Sequence, residues 1–309
     1  MNINQNFQVD WIGVDWGTTF LRVWAISSSG EVLAKLTSQN GMAKLESGDY
    51  EPALLSLIGD WLNPEKVTSI IACGMVGSRQ GWVEAPYVAV PCPPLASRNL
   101  VKVQTSDPRI DVHVLPGIKQ QNPPDVMRGE ETQIAGFLSM EPDFEGVICL
   151  PGTHTKWVRI AHGDVIGFTT FLTGEMFSLL SNHSVLRHCV AQEGWDEKAF
   201  SNGVSRAFFN PELFGADLFS IRAETLIDDL NSQTARSKLS GLLIGLELQG
   251  AQEYWLGQPI VIIGESRLAE IYGHALKSKK ASARIINSQD ITLAGLSRAR
   301  QILFPLEIA

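Results

Sequence analysis

The chain has 309 residues, 44% of them hydrophobic and 19% charged, which suits one large or two medium domains with cores of their own. A formal net charge of −8 without any Lys/Arg-rich run argues against nucleic acid or an anionic membrane as partner, and no apolar run is long enough to span a bilayer. The opening residues, MNINQNFQVD, lack the basic and apolar regions of a signal peptide, and four scattered cysteines without a CxxC pair suit reduced, buried thiols; a cytoplasmic location is expected.

An apolar run from Val9 to Val14, broken by Asp10, leads into Asp15; Gly17, Thr18 and Thr19 then form a tight polar turn, and Phe20 to Ile26 is a second apolar run. This reads as a β-hairpin. Its turn suits a polyphosphate: Gly17 lets the backbone approach closely, the amides and hydroxyls donate to phosphate oxygens, and Asp15 can hold Mg²⁺ through water. Asp and Gly are equally at home in an ordinary hairpin turn. Ser27 to Gly30 turns the chain into a third strand, Glu31 to Leu36. Leu54, Leu55, Leu57, Ile58, Trp61 and Leu62 predict a helix over 49–62, and Val67 to Cys73 a buried strand ending at Gly74. Residues 77–108, rich in Pro, Gly and Ser, read as an irregular insertion carrying Trp82 and Tyr87. A short strand (Val112 to Leu115), a polar loop (119–124) and a helix near 129–139 follow.

The opening pattern returns at Gly146: an apolar run to Leu150, the polar turn Pro151-Gly152-Thr153-His154-Thr155, a strand from Lys156 to Ile160, and a turn into Val165 to Phe168. Helices are predicted near 174–190, 196–208, 211–229 and 234–256, then a buried strand from Pro259 to Ile263 ending at Gly264, a helix near 266–277, a strand near 283–286 and a helix near 291–303. Both halves alternate strands with helices and carry a Gly/Thr hairpin turn at a strand end, which argues for α/β layers. The expected domains are 1–135, with the first phosphate turn and the insertion, and 136–309, with a nucleotide site in the cleft between them.

The string Asp15-Trp16-Gly17-Thr18-Thr19 with Arg22 resembles the first phosphate motif of the actin/hexokinase/Hsp70 fold, and Pro151 through Trp157 resembles the second. Ile263-Gly264-Glu265-Ser266 sits where the adenosine motif belongs. Longer strings resemble the 2-dehydro-3-deoxygalactonokinase family: Cys73 to Ser78, Gly81-Trp82, Ala85-Pro86-Tyr87, Val126 to Gln133, Thr173-Gly174-Glu175 and Ser240 to Gly245, spanning about residue 10 to about 300. The resemblance implies two RNase H-like domains of mixed sheet plus helices, ATP and Mg²⁺ as cofactors, and transfer of the γ-phosphoryl group to the 6-hydroxyl of 2-dehydro-3-deoxy-D-galactonate. The alternatives are a kinase for another keto-deoxy sugar acid and a non-catalytic sugar- or nucleotide-sensing member of the same fold. No basic helix-turn-helix precedes the first strand, which speaks against a DNA-binding regulator, and retention of Asp15 and Glu130 speaks for catalysis.

Phosphoryl transfer needs in-line positioning, a metal on the phosphates and a base near the attacking hydroxyl. On the resemblance, Asp15 orients Mg²⁺, and Gly17, Thr18 and Thr19, with Gly152, Thr153, His154 and Thr155, wrap the phosphates. Lys156 adds positive charge there or is a solvated strand lysine; Arg22, if on the face of Phe20, points toward the cleft; Gly264 belongs to the adenosine motif. Related sugar kinases carry their base as the Asp of a Gly-Asp-Gln pattern just before a helix. The matching place reads Arg128-Gly129-Glu130-Glu131-Thr132-Gln133, which makes Glu130 the base, with Glu131 as rival and service to the helix dipole as the other use of the pair. The substrate is an anion, so Arg128 and Arg79 are candidates for its carboxylate, with Ser78, Trp82 and Tyr87 around them and the Trp82 ring as a flat face for the carbon chain. Apolar helix faces in 174–256 make a homodimer a candidate assembly.

Overall fold

The computed structural model describes residues 8–95 and 99–304, and the chain groups by contact into two units. The first holds the described residues up to Phe144, His162–Ile166 and those from Ser288 on. Its elements are β1 (Trp11–Trp16), β2 (Leu21–Ile26), β3 (Val32–Ser38), α1 (Tyr50–Ile58), β4 (Thr68–Gly74), β5 (Tyr87–Ala89), β6 (Val101–Lys102), β7 (Ile110–Val114), β8 (Gly117–Gln120), β9 (Asp125–Met127) and α2 (Glu130–Met140). The main sheet runs β3-β2-β1-β4-β7-β6, with β1 antiparallel to β2 and parallel to β4, and a small sheet runs β5-β8-β9. Strand β1 is buried on both faces, which is why it reads as a nearly continuous apolar run. Its alternate residues Ile12, Val14 and Trp16 join Tyr50, Leu54 and Ile58 of α1 in one cluster, while Trp11 joins Trp24, Ile71 and Leu296 in another.

The second unit holds Glu145–Ala161 and Gly167–Asn287. Its elements are β10 (Gly146–Leu150), β11 (Thr155–Ala161), β12 (Asp164–Phe171), α3 (Thr173–His183), α4 (Glu197–Phe209), α5 (Phe214–Ile227), α6 (Ser232–Gly250), α7 (Gln252–Trp255), β13 (Ile260–Gly264), α8 (Ser266–Ser278) and β14 (Ala283–Asn287). The sheet order β12-β11-β10-β13-β14 repeats the β3-β2-β1-β4-β7 order of the first unit, and β10, β13 and β14 are likewise parallel. This is the duplication that the two hairpins foreshadow, in the RNase H-like arrangement. The last helix, α9 (Ser288–Leu303), packs with the first unit, where it covers α2, β1 and β4.

The helix pair α2/α9 meets at glycines: a Cβ on Gly136 would collide with the carbonyl of Ile291, and one on Gly295 with the carbonyl of Thr132. In the second unit a Cβ on Gly241 of α6 would collide with the Phe200 carbonyl of α4. The contact division differs from a single cut after residue 135, because α2 runs unbroken to Met140 and α9 returns to it. The helix expected over 174–190 stops at His183, where Ser184 accepts from the amide of Leu186 at 3.0 Å and starts a separate turn. The helix expected over 234–256 is two, α6 and α7. Among the described residues no helix is long and apolar enough to cross a membrane.

Candidate active site

The first hairpin turn is seated on the loop that follows β3. The carbonyls of Gly17, Thr18 and Thr19 accept from the amides of Met42, Ala43 and Gly41 at 3.0, 3.0 and 3.2 Å. A Cβ on Gly41 would collide with Thr18 and Thr19, so this seat needs glycine there. With their carbonyls engaged, Thr18 and Thr19 present their side chains to solvent. Asp15 lies within β1 rather than in the turn, because the strand continues through Trp16, whose ring is buried and donates to the Asn40 carbonyl at 2.8 Å.

Asp15 pairs in register with Cys73 of β4, one residue before Gly74. Gly74 has φ +89, and a Cβ on it would stand 2.6 Å from the Trp16 carbonyl oxygen; Gly129, at φ +106 before α2, comes so close that its Cβ would be 3.3 Å from the Gly74 Cα. These two glycines bring the carboxyl ends of β1 and β4 to the start of α2, the usual place for a ligand in an α/β sheet. Asp15, Glu130 and Glu131 converge there. The Arg22 Nη1 donates to Asp15 Oδ2 at 2.8 Å, so Arg22 is tied to the carboxylate. Burial raises the Asp15 pKa, Arg22 opposes the rise, and the charge of Glu130 adds to it.

Glu131 is 1% exposed; it accepts from the Gly129 amide at 2.6 Å and from the Thr132 hydroxyl at 3.2 Å. Burial, then the neighbouring Glu130 charge, push its pKa up to about 8. Glu130 is half-buried and accepts from the Arg128 amide at 3.1 Å. Both carboxylates therefore serve the amides that lead into α2, as a helix N-terminus favours, and Asp15 feels the Glu130 charge.

Arg128 is 8% exposed. Its Nη2 donates to the Ala85 carbonyl at 2.7 Å and its guanidinium lies 4.3 Å from the centroid of the Tyr87 ring, yet Nε and Nη1 are buried without a hydrogen-bond partner. Gly77 is close enough that a Cβ on it would stand 2.8 Å from Nη1, which puts the buried Ser78 next in the chain. Two residues of the expected substrate group have partners of their own. Arg79 has a side chain 81% exposed and faces Glu84 at 3.7 Å. Trp82 is half-buried and stacks one face on Tyr50, centroids 6.2 Å apart and planes 14° apart, with Trp16 at 6.1 Å.

In the second unit the turn Gly152–His154 leans on the start of α3. The Glu175 amide donates to the Thr153 carbonyl at 2.9 Å, His154 Nε2 and Glu175 Oε2 are 2.6 Å apart, and a Cβ on Gly174 would collide with the Gly152 carbonyl. Thr153 is exposed. Thr155 is not: its hydroxyl lies 2.9 Å from the Tyr272 hydroxyl, so it faces the core and not a phosphate. Lys156 is 5% exposed and donates to the His154 carbonyl at 3.2 Å, which removes the reading of a solvated strand lysine. Gly264 ends β13 against Pro151, and Glu265 caps α8 by accepting from the Leu268 amide at 3.2 Å.

Beside this turn lies a pocket of about 240 Å³, lined among others by Gly152, Thr173, Gly174, Arg236, Glu265 and Arg267. Arg236 stacks over Phe177 at 4.8 Å, and its pKa is lowered by burial and by the like charge of Arg267. Two arginines set against each other in a pocket favour an anionic ligand. Sequence reasoning missed both, because each sits on a helix whose polar residues read as a solvated face. The string Thr173-Gly174-Glu175 was the available signal for this pocket.

A model of the 2-keto-3-deoxy-galactonokinase family matches residues 15–299. The chain is 38% identical over 301 residues to a probable 2-dehydro-3-deoxygalactonokinase of Rhizobium meliloti (strain 1021), covering 95% of this chain and 97% of that one. It is 30% identical over 289 residues to the 2-dehydro-3-deoxygalactonokinase of Escherichia coli (strain K12), covering 93% and 96%. A crystal structure of a provisionally assigned 2-dehydro-3-deoxygalactonokinase from Sinorhizobium meliloti superposes with a TM-score of 0.88 at 37% identity, over 96% of this chain and 100% of that one.

Proposed function

The chain belongs to the 2-keto-3-deoxy-galactonokinase family, and from that premise we propose that it transfers the γ-phosphoryl group of ATP to the 6-hydroxyl of 2-dehydro-3-deoxy-D-galactonate, giving the 6-phosphate and ADP. The observation that carries the chemistry is the convergence of Asp15, Glu130 and Glu131 on the Gly74–Gly129 junction.

Such a transfer asks mainly for positioning and charge. Glu130 is the base. It is half-buried beside Asp15, whereas Glu131 is enclosed by Gly129 and Thr132 and cannot reach a substrate hydroxyl; geometry precedes pKa in choosing a base. Glu131, its pKa raised by burial and by the neighbouring Glu130 charge, holds the lead into α2. Arg128 takes the substrate carboxylate, with Tyr87 behind its plane and Nε and Nη1 as the donors still without a partner.

Gly17, Thr18 and Thr19 serve phosphate oxygens at the first hairpin turn, and Gly152, Thr153, His154 and Lys156 do so at the second. The pocket lined by Arg236, Arg267 and Glu265, with Gly264 at its base, takes the rest of the nucleotide. Magnesium ordinarily keeps several waters and uses one or two carboxylates plus substrate phosphates. That fits Asp15, a carboxylate at the end of β1 beside the first phosphate turn, as an outer ligand. When bound, Mg²⁺ would supply neutralisation of the phosphate charge.

Purified protein with ATP and Mg²⁺ should release ADP on addition of 2-dehydro-3-deoxy-D-galactonate, with phosphorus NMR placing the new ester at C6. Absence of turnover on any keto-deoxy sugar acid would sink the proposal; faster use of the gluconate-derived epimer would move it to that substrate. Asp15→Ala should abolish turnover with an unchanged circular-dichroism spectrum.

A further inference from the structure

Glutamate is among the side chains least often buried, and an apolar residue would fill a core position at lower cost. Glu247 is nevertheless 2% exposed on α6, within a cluster of apolar side chains of the second unit. Donors from three other elements meet it. Trp157 Nε1 of β11 reaches Oε1 at 2.8 Å, the Tyr272 hydroxyl of α8 reaches Oε2 at 2.7 Å, and the Thr173 hydroxyl of α3 also donates to Oε2. Tyr272 passes the connection to Thr155, where the second phosphate turn becomes β11. The ends of this network border the pocket: Thr173 and Tyr272 line it, and Gly174 seats Gly152. Tyr272 and Cys149, which feel the Glu247 charge, are pushed up by burial first and stay uncharged, so the buried carboxylate is met by neutral donors.

We propose that Glu247 is a positioning residue for the nucleotide, a buried carboxylate that fixes the second phosphate turn, the start of α3 and the α8 wall of the pocket to one another. The inference rests on the reading that this pocket takes ATP. Helix packing does not need the carboxylate, because α6 meets α4 through Gly241 and Gly245. What the carboxylate adds is register among three elements that carry no sugar-acid candidate.

The test compares wild type, Glu247→Gln and Tyr272→Phe, with thermal melting as a check on folding. Titration with ADP and Mg²⁺ by calorimetry, and separate KM values for ATP and for the sugar acid, supply the readout. Gln keeps the shape but sets an amide N–H against two hydroxyl donors, so ADP should bind about tenfold more weakly, with ATP KM rising in step. Tyr272→Phe removes one of the two hydroxyl donors to Oε2 and with it the link to Thr155, and should cost about threefold in the same two quantities. The sugar-acid KM should stay within about twofold in both variants, which a general loosening of the protein would not spare. Folded variants with unchanged ADP affinity overturn the inference, as does an equal rise in both KM values. If Glu247→Gln does not fold, Tyr272→Phe decides by the same criteria. Wild type that turns over and binds ADP separates these outcomes from failure of the functional reading; wild type that binds no ADP ends both.

Discussion

Arg128 carries two buried donors without a partner, a costly arrangement that a bound carboxylate would relieve. Lysine lacks the planar fork, so Arg128→Lys should raise the sugar-acid KM by about tenfold or more while leaving the ATP KM near wild type, as steady-state kinetics with each substrate varied will show. For the adjacent carboxylates, Glu130→Gln should lower kcat by about 10²- to 10⁴-fold, and Glu131→Gln by less than about tenfold. The reverse ranking would make Glu131 the base. The sequence strings locate Asp15 at the end of a strand and Arg128 and Glu130 at the start of a helix, as the fold has them, because motif spacing encodes which strand end or helix start a residue occupies. Direction is another matter. Thr155 stands in the second phosphate string, but its partner Tyr272 is distant in sequence, and that partner turns the side chain inward; Trp82 likewise stacks on Tyr50 and Trp16.

Among the elements, strands were legible from their apolar runs and most helices from their spacing, whereas their ends depended on tertiary contacts. Strand β1 extends through Asp15 because Trp16 is drawn into the aromatic cluster. The meeting of α2 with α9 was not legible, since nothing local to Gly136 or Gly295 marks them as partners. A methyl group at either position has backbone against it with nowhere to move. Gly295→Ala should therefore cost about 3 kcal/mol in urea unfolding, in the range of overpacked cores. A cost below about 0.5 kcal/mol would show that the helices can separate freely. Gly74→Ala is different in kind: it meets both a positive φ and the Trp16 carbonyl, and should disturb the placement of Asp15 against Glu130 as well as stability.

For the whole molecule, the buried acids tie stability to pH. Glu131 and Glu247 are raised from 4.5 to about 8 and about 7. An acid raised on folding contributes stability fully below its unfolded value and loses it as pH climbs through the folded one. Wild type should therefore weaken between about pH 5 and about pH 9, and Glu131→Gln should flatten that decline, by an amount on the order of a few kcal/mol at the alkaline end. Parallel urea-stability curves for the two proteins across this range would contradict the assignment. The return of α9 to the first unit has a consequence in time. Residues between Met140 and Ser288 are made before α9 exists, roughly 150 residues, or about seven to thirty seconds of translation. Throughout that interval the growing chain holds Trp11, Trp24 and Ile71 without their helical cover, and by its end every residue of the second unit is present while the first still lacks α9. The half of the protein synthesised first is thus the half completed last, and its unfinished face is where a nascent-chain chaperone would have its work.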